Sequence, residues 1–201
     1  MKIFQSGTAF SSEEKSASIS NIQAQVEALR GSPTDSKLNG TYSTRHLFDS
    51  YRAGIDHVGG MAALSDGRFA LSHSARPGKK ALMVVSDGGG DTKFLAVGNG
   101  DHPGGIQAAG KVIVVPIYGG SLSGSQIIFV DARKKDNPVP LSHLTVTVSS
   151  GHFTASGIVF HPAHNCHYVI ATKVANYGKR STAILYKSNG YSLFHPAARF
   201  S

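Results

Sequence analysis

Tryptophan is absent from this chain of 201 residues, and cysteine occurs once, at Cys166. A single thiol excludes an internal disulfide and gives no basis for a thiolate metal cluster. The missing indole counts against a carbohydrate-binding face built on flat aromatic platforms, although Tyr118, Tyr177 and Tyr191 offer smaller ones. Charged residues make up only 16% and hydrophobic residues 40%, a globular composition rather than a disordered one. No apolar run approaches the length needed to cross a bilayer, so no membrane span is expected. The stretch from Met1 to Ser6 holds one Lys and no long apolar segment after it. It does not read as a secretory signal, and the compartment stays open.

Glycine, by contrast, is abundant at 23 residues, which suits a fold with many tight turns. Twenty Lys and Arg against 12 Asp and Glu give a net charge of +8. Such a balance suits an acidic partner, an anionic surface or nucleic acid. The basic residues are scattered, however, with short groups only at Lys79-Lys80, Arg133-Lys134-Lys135 and Lys179-Arg180. Each falls where a turn between strands is expected, so nucleic acid is not the expected partner.

The chain divides near residue 50. In residues 1–50, Ser11 and Glu14 have capping-box spacing, and Ile19, Ile22, Val26 and Leu29 recur on one helical face. Gly31 and Pro33 then supply a stop, which predicts one helix over Glu13 to Arg30 followed by a linker. From 51 to 201 short β-branched and aromatic runs alternate with turn residues. Twelve strands are predicted: Gly60–Leu64, Arg68–Ser72, Lys80–Ser86 and Lys93–Val97, then Gly105–Ala108, Lys111–Ile117, Gln126–Asp131 and Leu144–Val148. The last four are Gly157–Phe160, His167–Thr172, Thr182–Lys187 and Tyr191–Phe194.

An internal repeat groups these strands. Asp56-His57-Val58-Gly59-Gly60-Met61 and Asp101-His102-Pro103-Gly104-Gly105-Ile106 share Asp, His and both Gly, 45 residues apart. Leu82–Ser86 and Ile127–Asp131 follow at the same separation. A third copy, Phe153-Thr154-Ala155-Ser156-Gly157-Ile158, aligns at a shift of 52 with Thr154 in place of the His. A period near 45 with four strands per period is that of a β-propeller blade. The stretch from Asp101 to Gln107, with the strands Lys111–Pro116 and Ile128–Asp131 and the later Asn137-Pro138, resembles a blade of bacterial β-propeller-repeat proteins. That likeness implies a fold and no activity, because propellers host lectins, scaffolds and hydrolases alike. The fold class expected is therefore all-β, propeller-like, with three four-stranded blades in an incomplete ring plus one N-terminal helix. An open array leaves apolar end faces, so self-association is expected.

Chemistry is expected where the repeats begin. Asp56, His57, Asp101, His102 and Thr154 precede the innermost strands and would meet at a channel mouth. Imidazole and carboxylate together suit zinc, manganese or iron, or a base with its orienting carboxylate. The simpler reading is that Asp and His satisfy backbone groups in a repeated turn, and it is preferred. His161, His164 and His167 with Cys166 offer a second metal spacing, read instead as a polar turn with Cys166 as a small filler. Asp87-Gly88-Gly89-Gly90-Asp91 has no helix behind it to bind phosphate and reads as a turn. Ser149 and Ser150 beside His152 lack the context of a nucleophile. No cofactor is named by any motif. The function expected is a binding propeller that recognises a ligand or protein at the channel mouth, and the alternative is a metal-assisted ester or lactone hydrolase.

Overall fold

Two runs, Val112-Ile113-Val114-Val115-Pro116-Ile117 and Ile127-Ile128-Phe129-Val130, are apolar at every position, which suits strands covered on both faces. They form the middle of the molecule. The computed structural model describes Glu14 and residues 55–75, 81–86, 92–119, 123–174 and 181–201. Within these, β1 (Ile55–Ala63), β2 (Phe69–Ala75), β3 (Ala81–Ser86) and β4 (Thr92–Val97) form a first antiparallel sheet, paired in chain order. The second sheet pairs β5 (His102–Pro103) and β6 (Gln107–Ala109) with β7 (Val112–Tyr118), which pairs with β8 (Ser125–Asp131). Beyond β8 lie the short strands β9 (Val139–Pro140) and β10 (Val146–Val148). The third sheet is β11 (His152–His161), β12 (Cys166–Val174) and β13 (Ser181–Lys187). The fold is all-β and propeller-like: three consecutive up-and-down sheets stacked face to face as blades, in a ring that the described residues leave open.

Strand alternation builds the two layers of core. One layer joins Leu64 and Ala70 of the first sheet to Ile106, Ile113, Val115, Ile117, Ile128 and Val130 of the second. The other joins Ala109, Val114, Ile127 and Phe129 to Phe153, Ile158, Val169 and Ala171 of the third. Residues one apart on β7 and β8 thus face opposite neighbours, as a period of two requires. Burying a side chain such as Phe129, which has no exposed surface, contributes about 1.5–3 kcal/mol.

Several expectations need correction. The strand expected over Leu144–Val148 is a 3₁₀ turn, Ser142–Leu144, followed by β10. Tyr191–Phe194 forms turns and no strand, so the third sheet has three strands. The backbone there is engaged elsewhere: Leu193 N–H donates to Glu14 Oε2 at 2.8 Å, and the Leu193 carbonyl lies 3.0 Å from His143 Nε2. The edge of the third sheet pairs instead at Ser188 with Phe200, and Lys187 and Ser201 exchange two backbone hydrogen bonds.

The helix expected over Glu13 to Arg30 lies outside the described residues apart from Glu14, which sits in a bend and is buried. Its carbonyl meets His167 Nε2 at 2.6 Å, and its Oε2 accepts hydrogen bonds from Ser192 Oγ and Leu193 N. The turn expected at Asp87–Asp91 also lies outside the described residues.

Candidate functional site

The repeated Gly-Gly is explained by packing. A Cβ on Gly59 would overlap the carbonyl oxygen of Pro103, and one on Gly104 would overlap that of Thr154. On Gly60 it would lie 2.8 Å from Ile106 N. The innermost strands therefore meet backbone to backbone. Gly105 N–H donates to Thr154 O at 2.9 Å, Ser156 N–H returns a bond to Gly105 O at 3.0 Å, and Gly105 bridges Ala155 in parallel. Ser72 Oγ donates to Gly104 O at 3.1 Å, tying β2 to the neighbouring sheet. Pro116, which has no amide hydrogen, falls near the break between β5 and β6, where its carbonyl accepts from Gly104 N.

Strand register then aligns the repeats and corrects the sequence alignment. Val58 pairs with His73, Pro103 with Ile117, and Phe153 with Lys173. Immediately beyond each pair the inner strand carries one extra residue, a bulge at Gly59, at Gly104–Ile106 and at Thr154. His57, His102 and His152 therefore hold the same place, and Thr154 corresponds to a glycine of the motif. The third copy is shifted from the second by 50 residues, not by the 52 that sets Thr154 opposite His102. The strands β2 and β7 are likewise offset by 44, because the turn after β1 is one residue longer. The Leu82–Ser86 and Ile127–Asp131 match is accordingly one residue out of register. These His also lie on the strands themselves: Asp56 and His57 are within β1, and His102 opens β5.

Around the second and third of these positions the side chains gather. Asp101 is buried, and its Oδ1 lies 3.2 Å from Nδ1 of His102. A carboxylate accepts, so Nδ1 carries the hydrogen and the acceptor lone pair is on Nε2. The His102 side chain is 36% exposed, enough to meet a solute. Its ring packs on Tyr118, its cross-strand partner, with centroids 5.3 Å apart. Tyr118 in turn stacks on His152 of the third sheet at 4.8 Å and 11°. Ser125 fixes the backbone beneath: its Oγ donates to Gly151 O at 2.6 Å and accepts from Phe153 N at 3.0 Å. The aliphatic stem of Lys173 lies across Gly151. On β2 burial pushes the His73 imidazole below its ordinary value. The side chains of Asp56 and His57 lie outside the described residues, and Thr154 turns its hydroxyl to Thr172 O at 3.4 Å.

The other histidine cluster separates. His161 and His164 stack at 4.1 Å on an exposed 3₁₀ turn, and His164 Nδ1 lies 2.9 Å from the Tyr168 hydroxyl. Asn165 closes that turn in the left-handed region, at φ 45°. His167 and Cys166 are buried, and His167 is engaged with Glu14. Among the described residues no three His, Cys, Asp or Glu side chains gather to hold a metal ion. Tyr118 is the residue the sequence undervalued, since nothing local marks it as the meeting point of two histidines 50 positions apart.

No family model matches the chain, and no curated protein matches it. Among solved structures it is similar to a Bombyx mori GH32 beta-fructofuranosidase, a mutant in complex with sucrose, at 16% identity and a TM-score of 0.37. That match covers 73% of this chain and 36% of the other, so the chain spans about a third of the enzyme's length.

Proposed function

We propose that the chain is a binding module that takes a small ligand where the innermost strands of adjacent sheets begin. The observation that carries this reading is the packing of His102 and His152 on Tyr118, with Asp101 orienting His102. Packing accounts for the repeated glycines, but it gives no reason for a polar, half-exposed aromatic group at the strand starts. Rings held in fixed positions can stack on a planar group and donate or accept at Nε2 with little ordering cost. Lys173 and the net charge of +8 favour a ligand with an anionic group.

Histidine-labelled protein titrated with inorganic phosphate, acetate and a monosaccharide, read by nuclear magnetic resonance, tests this. Saturable shifts should fall on the His102 and His152 rings. Tyr118→Ala should weaken binding at least tenfold, about 1.4 kcal/mol, while the fold persists. Shifts confined to His161 and His164, or none with any probe, would sink the reading. A second reading rests on the Asp101–His102 pair, which has the form of a base with its orienting carboxylate. It predicts hydrolysis of an aryl ester that His102→Ala abolishes.

A further inference from the structure

Val159, Ile170 and Leu185 stand out on the third sheet, at 51%, 51% and 61% exposed. Register shows what their counterparts do. Val159 matches Leu64 and Ala109, Ile170 matches Ala70 and Val114, and Leu185 matches Phe129. All five counterparts are buried, in the layer between the first and second sheets or the layer between the second and third. The exposed face is thus the same blade face that is covered twice within the molecule. Ile170 and Leu185 are cross-strand partners and Val159 lies diagonal to Ile170, so the three make one patch.

On the outer face of the first sheet His73 is buried and Met61 stands out. Met61 on β1 is 68% exposed, whereas its counterparts Ile106 and Ser156 are buried between sheets. The chain therefore owns both halves of an interface that it already makes twice. We infer that the outer face of the third sheet docks the outer face of the first sheet of a second copy, head to tail. Two such contacts related by a twofold axis along the central channel, across the stacking direction, close a ring of six sheets. This inference is independent of the ligand site.

Light scattering after size exclusion, on the full chain at micromolar concentration, should give twice the 21.1 kDa chain mass. Met61→Glu and Leu185→Glu each change an exposed position and should each halve that mass. Mixing the two variants should restore a one-to-one dimer, because each retains the face the other lacks. A folded wild-type monomer, with Ile170 protected by the chain's own residues 15–54, would overturn the inference. So would a Met61→Glu variant that stays dimeric, since that requires like faces to pair.

Discussion

Gly104→Ala is expected to cost the fold about 3 kcal/mol, whereas Gly105→Ala, one position along the same motif, should change stability by less than about 1 kcal/mol. At Gly104 the added methyl would meet the Thr154 carbonyl and Cα, which are backbone and cannot swing aside. Relief requires β11 to withdraw, and withdrawal strains the bonds from Gly105 N to Thr154 O and from Ser156 N to Gly105 O. At Gly105 the methyl would sit 3.4 Å from Ala155 Cβ, an ordinary contact. Urea unfolding of both variants beside the wild type measures the difference. Equal effects from the two would mean that the glycines serve chain flexibility rather than close approach. The same comparison separates the two halves of the repeated motif: neither variant touches the Asp101–His102 pair.

The repeat and most strands were legible because sheet faces impose a period of two and turns impose Gly, Asn, Asp and Pro. The runs Val112–Ile117 and Ile127–Val130 are apolar at every position because both faces of their sheet are covered, one by each neighbour. The equivalence of His152 was hidden, since its copy has lost both glycines: Thr154 and Ala155 stand in their places. Only backbone pairing reveals a bulge that three different sequences produce. Tyr191–Phe194 has the aromatic and apolar character of a strand, yet its backbone is held by Glu14 and His143, both distant in sequence. Glu14 shows the same limit from the other side. Its spacing from Ser11 reads as a local cap, while its carboxylate is bound at Ser192 and Leu193, some 180 residues away, and no short-range pattern encodes that.

Acidification from pH 7 to pH 4 is expected to remove about 3 kcal/mol of stability through His167. The ring is fully buried at the start of β12, next to Phe160, with Nε2 directed at the Glu14 carbonyl. Burial pushes its pKa down to about 4, and the hydrogen bond to Glu14 opposes that only in part. The folded state thus holds the neutral imidazole, while the unfolded chain protonates near the ordinary histidine value of 6.5. The contribution is complete above pH 6.5 and is lost as pH falls towards 4, where the folded form titrates too. His73, also lowered by burial, adds in the same direction. Asp66 is lowered by its hydrogen bonds to Arg68, so its contribution persists above 3.8 and is lost only at lower pH, outside this window. Denaturant unfolding at pH 7, 5.5 and 4 measures the slope, and His167→Gln, which keeps a donor for Glu14, should flatten it. Parallel profiles for wild type and variant would show that His167 is not the group responsible. If the slope does flatten, the loss on acidification acts where Glu14 is held against the third sheet. Amide protection at Leu193 should then fall over the same pH range.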